Sequence, residues 1–240
     1  MSENTIFVRQ YKASDIPSLA KINEKEVYRY AGYYNILHVD ENINNLLLDA
    51  IKQANEVLTY KVCFRRMDIH WENDRSVLPF LCDSKDLDKC LKGSDEIIMF
   101  AATIGMGLDR LIKRYNKTEM TKALLLQALG AERVEALCDY FCDEIASELN
   151  CENKILTPRY SPGYGDMPLE HQRDFFNLLD CNRKVGISLG ESLLMTPSKS
   201  VTAIMGIKNV TDMSENKKDY KHKCETCNNK DCEYRKVNDI

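Results

Sequence analysis

The feature that most constrains the fold is a long helical segment that runs from Thr118 to Asn150. Its apolar residues recur at helical spacing: Leu124, Leu125, Leu126, Leu129, Val134, Leu137, Tyr140, Phe141, Ile145 and Leu149. In the first half of the segment they cover nearly every side, which predicts a central, buried position. Gly130 weakens the middle, so the segment is either two helices or one weakened helix. Cys138 and Cys142 share one helical face, where core packing is favoured over metal binding.

The rest of the chain mixes helical and extended patterns. Asp40 precedes an amphipathic helix whose apolar positions run from Ile43 to Leu58, and residues 58–64 then alternate with period two, as a half-buried strand does. Further strands are predicted at 69–71, 76–81, 96–104, 184–189 and 200–207, and further helices at 84–93, 105–115 and 168–179. Because there is no regular βαβ repeat, the predicted fold class is α+β, a mostly antiparallel twisted sheet with several packed helices.

Composition narrows the functional classes. The net charge of −4, with both signs interspersed, gives no basic footprint for nucleic acid. No run of apolar residues is long enough to predict a membrane span. The polar N-terminal residues are not followed by the hydrophobic region of a signal peptide, so a cytoplasmic protein is expected.

The composition changes near residue 208. We predict a globular domain over 1–207 and a polar linker with a cysteine-rich tail over 208–240. The tail carries Cys224, Cys227 and Cys232, close to His222. Three thiolates with this histidine could hold zinc, and three thiolates with an outside ligand could hold an iron–sulfur cluster. Reduced thiols without metal are the remaining alternative.

A Gly-x-Gly pair, Gly105 and Gly107, follows the predicted strand at 96–104. A phosphate-binding loop would need further glycines or a Gly-Lys-Ser/Thr element, and neither is present. A tight strand-to-helix turn is therefore the favoured interpretation.

Residues 159–166 read RYSPGYGD and are the leading candidate for a ligand-binding turn. Arg159 can pair with a carboxylate, and Pro162 stiffens the loop. Gly163 and Gly165 leave room for a ligand and free backbone amides to bind it. Tyr160 or Tyr164 could pack against a flat ring or lie near a sulfonium. The structural alternative is a Pro-Gly turn whose arginine caps a helix C-terminus, and Asp166 is predicted to cap the helix at 168–179.

A second segment extends this pattern. Leu189, Glu191, Ser192, Met195 and Pro197 are followed by Ser200-Val201-Thr202. Together with the Arg-x-x-Pro-Gly-Tyr turn, their order and spacing resemble the activation (reactivation) domain of cobalamin-dependent methionine synthase. The specific resemblance covers residues 159–207, with looser similarity back to residue 28.

The resemblance implies the activation-domain fold and a binding site for S-adenosylmethionine formed by Arg159, Tyr160, Pro162, Gly163 and Tyr164. Glu191 and Ser192 either touch the ligand or have a buried structural role. The implied function is to support reductive methylation of cob(II)alamin, for which proximity of the sulfonium methyl group to cobalt is the main requirement.

No region of the sequence resembles the homocysteine-, folate- or cobalamin-binding modules. The expected partner is therefore a separate cobalamin-dependent methionine synthase that carries the cobalamin, with a low-potential electron donor such as flavodoxin or ferredoxin. Two alternatives stay open: a metal- or iron–sulfur-binding redox or regulatory protein that acts through its C-terminal cysteines, and a reactivator of another corrinoid methyltransferase.

Overall fold

The computed structural model describes residues 5–33 and 39–210. Its centre is a five-stranded antiparallel sheet with the strand order β1-β2-β5-β9-β6. These strands are β1 (Phe7–Tyr11), β2 (Tyr60–Asp68), β5 (Glu96–Thr103), β6 (Lys154–Leu156) and β9 (Ser200–Asn209). Two short hairpins stand apart from the sheet, one formed by β3 (His70–Glu72) and β4 (Arg75–Val77), the other by β7 (Ser188–Leu189) and β8 (Met195–Thr196).

Helices cover both faces of the sheet. They are α1 (Pro17–Ala20), α2 (Glu24–Tyr30), α3 (Glu41–Asn55), α4 (Lys85–Leu91), α5 (Met106–Tyr115), α6 (Met120–Asn150), α7 (Gln172–Leu179) and α8 (Cys181–Val185). Every strand pair is antiparallel, which confirms the predicted α+β class. Within the described ranges, no helix has both the length and the apolar character that a membrane crossing requires.

Strand β5 is continuously apolar in sequence because both of its faces are buried. Ile98, Phe100 and Ala102 face one cluster, which packs against helices α1, α2, α3, α5 and α6. The alternate residues of β5 face a second cluster, formed with α4, α7 and α8. A strand that is buried on both faces carries no polar alternation.

Helix α6 lies at the centre of the first layer. Its 31 residues form a single helix through Gly130, so the alternative of two helices is wrong. A side chain at Gly130 would collide with Leu108 and crowd Lys199. Cys138 and Cys142 are fully or almost fully buried in this layer, as core packing predicts.

A buried polar clamp ties the N-terminal segment to α6. Arg133, only 1% exposed, donates to the carbonyl oxygens of Leu19 at 2.7 Å and of Lys21 at 3.1 Å. The neighbouring Glu132 pairs with this guanidinium and accepts from the backbone N–H of Asn23 at 3.1 Å. Buried charges are tolerated when paired in this way, and the pair thereby fixes how the chain enters α2.

Two sequence expectations are decided by this fold. The strand predicted at 184–189 is wrong over most of its length, because helix α8 ends at Val185 and only Ser188–Leu189 is extended. The structural interpretation of the Gly-x-Gly pair fits the packing: Gly105 has φ of 84°, and a side chain at Gly107 would collide with the backbone of Val57.

Replacing Arg133 with alanine is expected to lower the free energy of unfolding by about 3–5 kcal/mol, since Glu132 is left buried without its charge partner. Urea unfolding of the wild type and the variant measures the difference. Arg110→Ala, at an exposed position on α5, is the matched control and is expected to change the value by no more than about 0.5 kcal/mol. Equal losses in the two variants would contradict the clamp.

Candidate functional site

The segment that precedes the turn is fixed along the free edge of β9. Tyr160 and Ile204 exchange two backbone hydrogen bonds of 2.9 and 2.8 Å. The backbone N–H of Thr157 donates to the carbonyl of Gly206 at 2.9 Å, and its hydroxyl accepts from the Gly206 N–H at 2.8 Å. This pairing holds the chain extended, so Arg159 and Tyr160 point to opposite faces.

Arg159 points toward α6. Its Nη2 donates to Asp139 Oδ1 at 2.8 Å and to Glu135 Oε2 at 3.2 Å. Its Nη1 is shielded from solvent and has no hydrogen-bond partner within the described part of the chain. The predicted alternative, in which this arginine caps a helix C-terminus, is wrong, because both contacts are to side chains within α6.

The charge state of this cluster follows from burial and from the neighbouring groups. Burial lowers the pKa of Arg159, and the surrounding groups, Cys138, Cys142, Asp139 and Glu135, raise it above its ordinary value. Burial also raises the pKa of the Cys138 thiol, and that of Cys142 to about 12. The thiols are therefore neutral near pH 7, and the two carboxylates are the charge partners of the guanidinium.

The turn itself is closed by its own backbone. The Gly163 N–H donates to the carbonyl of Met167 at 2.9 Å, at a φ of 92° that favours glycine. At Gly165 the space that a side chain would need is filled by the Tyr160 hydroxyl and by Asp86. The expectation that both glycines offer free space and free amides is therefore wrong for the Gly163 amide and for the space at Gly165.

Asp166 connects the turn to α4. Its carboxylate accepts from the Ser84 hydroxyl and from the backbone N–H groups of Lys85 at 2.8 Å and Asp86 at 3.3 Å. Asp166 thus satisfies free N–H groups at the start of α4, and the prediction that it caps the following helix is wrong. That helix begins with a 3-10 turn at Leu169–His171.

The remaining candidates occupy different places. Tyr164 is 69% exposed on the turn, whereas Tyr160 lies on the opposite face from Arg159 and donates its hydroxyl to the Tyr164 carbonyl at 3.1 Å. Glu191 and Ser192 are exposed at the tip of the β7–β8 hairpin, which rules out their buried structural role. Neither is hydrogen-bonded or ion-paired within the described residues, and their role toward a ligand stays a prediction.

The predicted metal ligands Cys224, Cys227 and Cys232 lie outside the described residues, and so does His222. Over 5–33 and 39–210, no cluster of three histidine, cysteine or acidic side chains could hold a metal ion. The proposed zinc or iron–sulfur site therefore stays a prediction from sequence.

Comparison with known protein families shows to which family this chain belongs. The family model described as "Vitamin B12 dependent methionine synthase, activation domain" matches residues 13–213. The chain belongs to this activation-domain family. The resemblance that was based on the Arg159–Tyr164 turn and on the segment around Leu189–Pro197 is thereby confirmed.

A solved structure agrees with the fold. The MetH reactivation domain, in a crystal structure bound to AdoHcy, superposes with a TM-score of 0.62 over 85% of this chain and 79% of the other. Sequence identity is 18%, so the likeness concerns the fold.

Sequence reasoning missed the two acids that hold the arginine of this activation domain. Glu135 and Asp139 are four residues apart, which places them on one face of α6. That spacing could have marked them as a pair. The arginine that pairs with them comes from the extended segment beside β9, however, and no local pattern indicates which arginine packs against these acids.

Replacing Asp166 with asparagine is expected to lower stability at neutral pH, and the loss should vanish in acid. Hydrogen bonds from Ser84 and from backbone N–H groups hold the pKa of Asp166 below its ordinary value of 3.8. A carboxyl group with a depressed pKa stabilises the fold above its unfolded-state pKa, and this contribution disappears as pH falls through its folded-state pKa.

The measurement is the difference in urea midpoint between the wild type and Asp166→Asn, from neutral pH down to below 3.8. Glu56→Gln, at an exposed position directly after α3, serves as a control for loss of one acidic charge. A wild-type advantage that stays constant through the acidic range would show that the carboxylate charge is not what stabilises the start of α4.

Proposed function

We propose that this protein binds S-adenosylmethionine and supports the reductive methylation of cob(II)alamin in a separate cobalamin-dependent methionine synthase. Membership of the activation-domain family supports the methionine synthase context. The solved reactivation domain holds AdoHcy, which is what remains of S-adenosylmethionine once its methyl group has been transferred.

The observation that carries the proposal is the placement of Arg159 between two carboxylates. An amino acid presents a carboxylate and an ammonium group on the same carbon, so its site needs a cation and an anion side by side. The side chain of Arg159 is 26% exposed and its Nη1 has no partner among the described residues, so the guanidinium can supply donors for the carboxylate. Glu135 and Asp139 supply acceptors for the ammonium group.

The turn then holds the rest of the ligand. Pro162 is buried and fixes the loop before binding, which reduces the ordering cost. Tyr164 offers an exposed ring for the adenine or the sulfonium. Gly163 keeps the loop in its left-handed conformation. Tyr160 supports the turn because its hydroxyl donates a hydrogen bond to the Tyr164 carbonyl. Glu191 and Ser192 remain candidates for the outer edge of the site.

The main role of these residues in the proposed methyl transfer is to position the methyl donor. Cobalamin, carried by the partner, supplies the metal centre that accepts the methyl group. The residues around Arg159 bind and orient the donor, which raises its effective concentration at the acceptor. Methyl transfer from a sulfonium needs no general acid or base. The reduction of cob(II)alamin requires an electron from a low-potential donor such as flavodoxin or ferredoxin. The cytoplasm is the proposed location of this protein.

Calorimetric titration with S-adenosylmethionine tests the site. Arg159→Ala is expected to weaken binding by about 30-fold or more, equivalent to about 2 kcal/mol, because a charged partner of the carboxylate is lost. Arg159→Lys keeps the charge without the paired donors and should bind with intermediate affinity. Glu135→Gln should also weaken binding, through the ammonium group.

Arg183→Ala is the control, since its side chain is 86% exposed on α8. Glu135 and Asp139 are themselves 47% and 45% exposed, so the loss of Arg159 leaves no deeply buried charge that would unfold the protein. Unchanged affinity in Arg159→Ala would move the site elsewhere. Absence of binding, both alone and with a corrinoid methionine synthase present, would overturn the proposal.

The partner is identified by reconstitution. A cobalamin-dependent methionine synthase inactivated as cob(II)alamin should regain methylcobalamin when this protein, S-adenosylmethionine and a reduced flavodoxin or ferredoxin are supplied together. Recovery with a different corrinoid methyltransferase but not with methionine synthase would favour the alternative partner.

The tail carries a second candidate function because Cys224-x2-Cys227-x4-Cys232 groups three soft ligands. Zinc would make the tail structural, and an iron–sulfur cluster would give a redox or regulatory role. Anaerobic purification distinguishes them: a brown protein contains a cluster, and a colourless one that releases zinc on thiol modification contains a structural site. A metal-free protein would leave the cysteines as reduced thiols.

A further inference from the structure

Helix α4 has two polar faces with different neighbours. On one face, Cys90 Sγ donates to the carbonyl of Pro158 at 3.3 Å, and Asp86 lies against Gly165 of the turn. On the other face, the side chains of α4 border a cleft of about 550 Å³ whose opposite wall is the β3–β4 hairpin. The cleft and the Arg159 site therefore lie on different sides of this helix.

The hairpin wall is fixed in place. Trp71 forms one side of the cleft, and its indole N–H donates to the Ser94 carbonyl at 2.8 Å, which holds the ring against the cleft floor. Asn73 and Asp74 close the hairpin with φ of 50° and 63°, a two-residue turn that matches the twist of the strands. The cleft thus has a large, oriented aromatic surface.

The acidic groups of the cleft are mostly committed to other partners. Asp88 accepts from Arg75 Nη1 at 2.7 Å, from the Ser76 N–H at 3.0 Å and from the Ser76 hydroxyl at 2.6 Å. Asp95 accepts from the Asn209 amide at 2.8 Å. These hydrogen bonds occupy the carboxylates and reduce their ability to neutralise nearby lysines.

Of the three lysines of the cleft, only Lys89 has a carboxylate partner among the described residues. Lys85 and Lys89 share one face of α4, Lys92 follows the end of the helix, and all three line the cleft. Lys89 lies 3.6 Å from Asp86 and is 81% exposed. Across the described residues, no carboxylate lies within ion-pairing distance of Lys85 or Lys92. Three exposed lysines and one indole ring thus line the same cleft.

We propose that this cleft binds a nucleotide, with the base against Trp71 and the phosphates at Lys85, Lys89 and Lys92. The volume is that of a small-molecule site. Indole rings stack on planar bases with little dependence on base identity, and lysine binds phosphate as a point charge. A ligand with only one of these parts would leave the other wall of the cleft unused.

This proposal does not depend on the proposed function, since no residue of the cleft belongs to the Arg159 cluster. Failure of S-adenosylmethionine binding would leave it intact, and its own failure would leave the Arg159 site intact.

Trp71 is the only tryptophan in the chain, so its fluorescence reports on the cleft directly. ADP titrated into the full chain, with excitation at the red edge of indole absorption, is expected to quench emission saturably. Adenosine alone and pyrophosphate alone should each bind at least about tenfold more weakly, because each engages one wall only. Calorimetry with ADP supplies an affinity that does not rely on emission.

Lys89→Gln is expected to weaken ADP binding about tenfold, by loss of one charge-assisted phosphate contact. The double change of Lys85→Gln with Lys92→Gln should weaken it further. Lys117→Gln, an exposed lysine after α5, is the control for loss of one positive charge and should leave the affinity unchanged. Because Lys89 is so exposed, its replacement should not alter the urea unfolding midpoint, which is measured alongside.

The proposal is overturned by the absence of a saturable ADP signal in both methods, by pyrophosphate binding as tightly as ADP, or by equal affinity in Lys89→Gln and wild type. Competition between ADP and S-adenosylmethionine for one site would also overturn it. Saturable ADP binding that weakens in the cleft variants and persists at saturating S-adenosylmethionine supports it.

Discussion

Mutual burial of helix α6 and the central sheet is the constraint on which the rest of the structure depends. The ring of Phe141 on α6 lies 5.0 Å from that of Phe100 on β5 and 5.2 Å from that of Phe64 on β2. The other face of β5 packs against α4, α7 and α8. A sheet that is apolar on both faces must be covered twice, and this requirement places α6 on one side and the later helices on the other.

Helix α6 also organises the charges of the family's candidate site. Its sheet-facing residues Cys138 and Cys142 are buried, while Glu135 and Asp139 stand at the edge of the same surface. The guanidinium of Arg159 reaches this edge from the chain beside β9. A partly buried cation requires compensating charge, so the helix that forms the core also provides the anions that hold Arg159 in place.

Helix α4 has a comparable double role on the second layer. Its start is held by Asp166 of the turn, so the conformation of the turn and the position of the helix depend on each other. Its lysines border the cleft that Trp71 closes. The Arg159–Asp166 turn therefore lies between the carboxylates of α6 and the start of α4, and its rigidity comes from both the β9 edge and α4.

The sequence by itself determined the features that depend on local periodicity. The helices α3 and α6, the double-sided strand β5 and the last strand β9 all follow from spacing and composition. The Arg-x-x-Pro-Gly-Tyr turn could also be found because its residue types are tied to short spacing. The last two residues of α8 fall within the strand predicted at 184–189, because a helix of five residues carries too little periodic signal to distinguish the two.

Only the tertiary structure decided which distant groups meet. Arg159 pairs with acids 20 and 24 residues away on α6, and Asp166 caps a helix about 80 residues earlier in the chain. The three lysines and the single tryptophan of the cleft likewise come from separate elements. The sequence does not indicate which partner a charged group or hydrogen-bond donor will have, because any group of opposite charge or any acceptor can serve. The packing of the apolar faces decides which of these groups comes close to it.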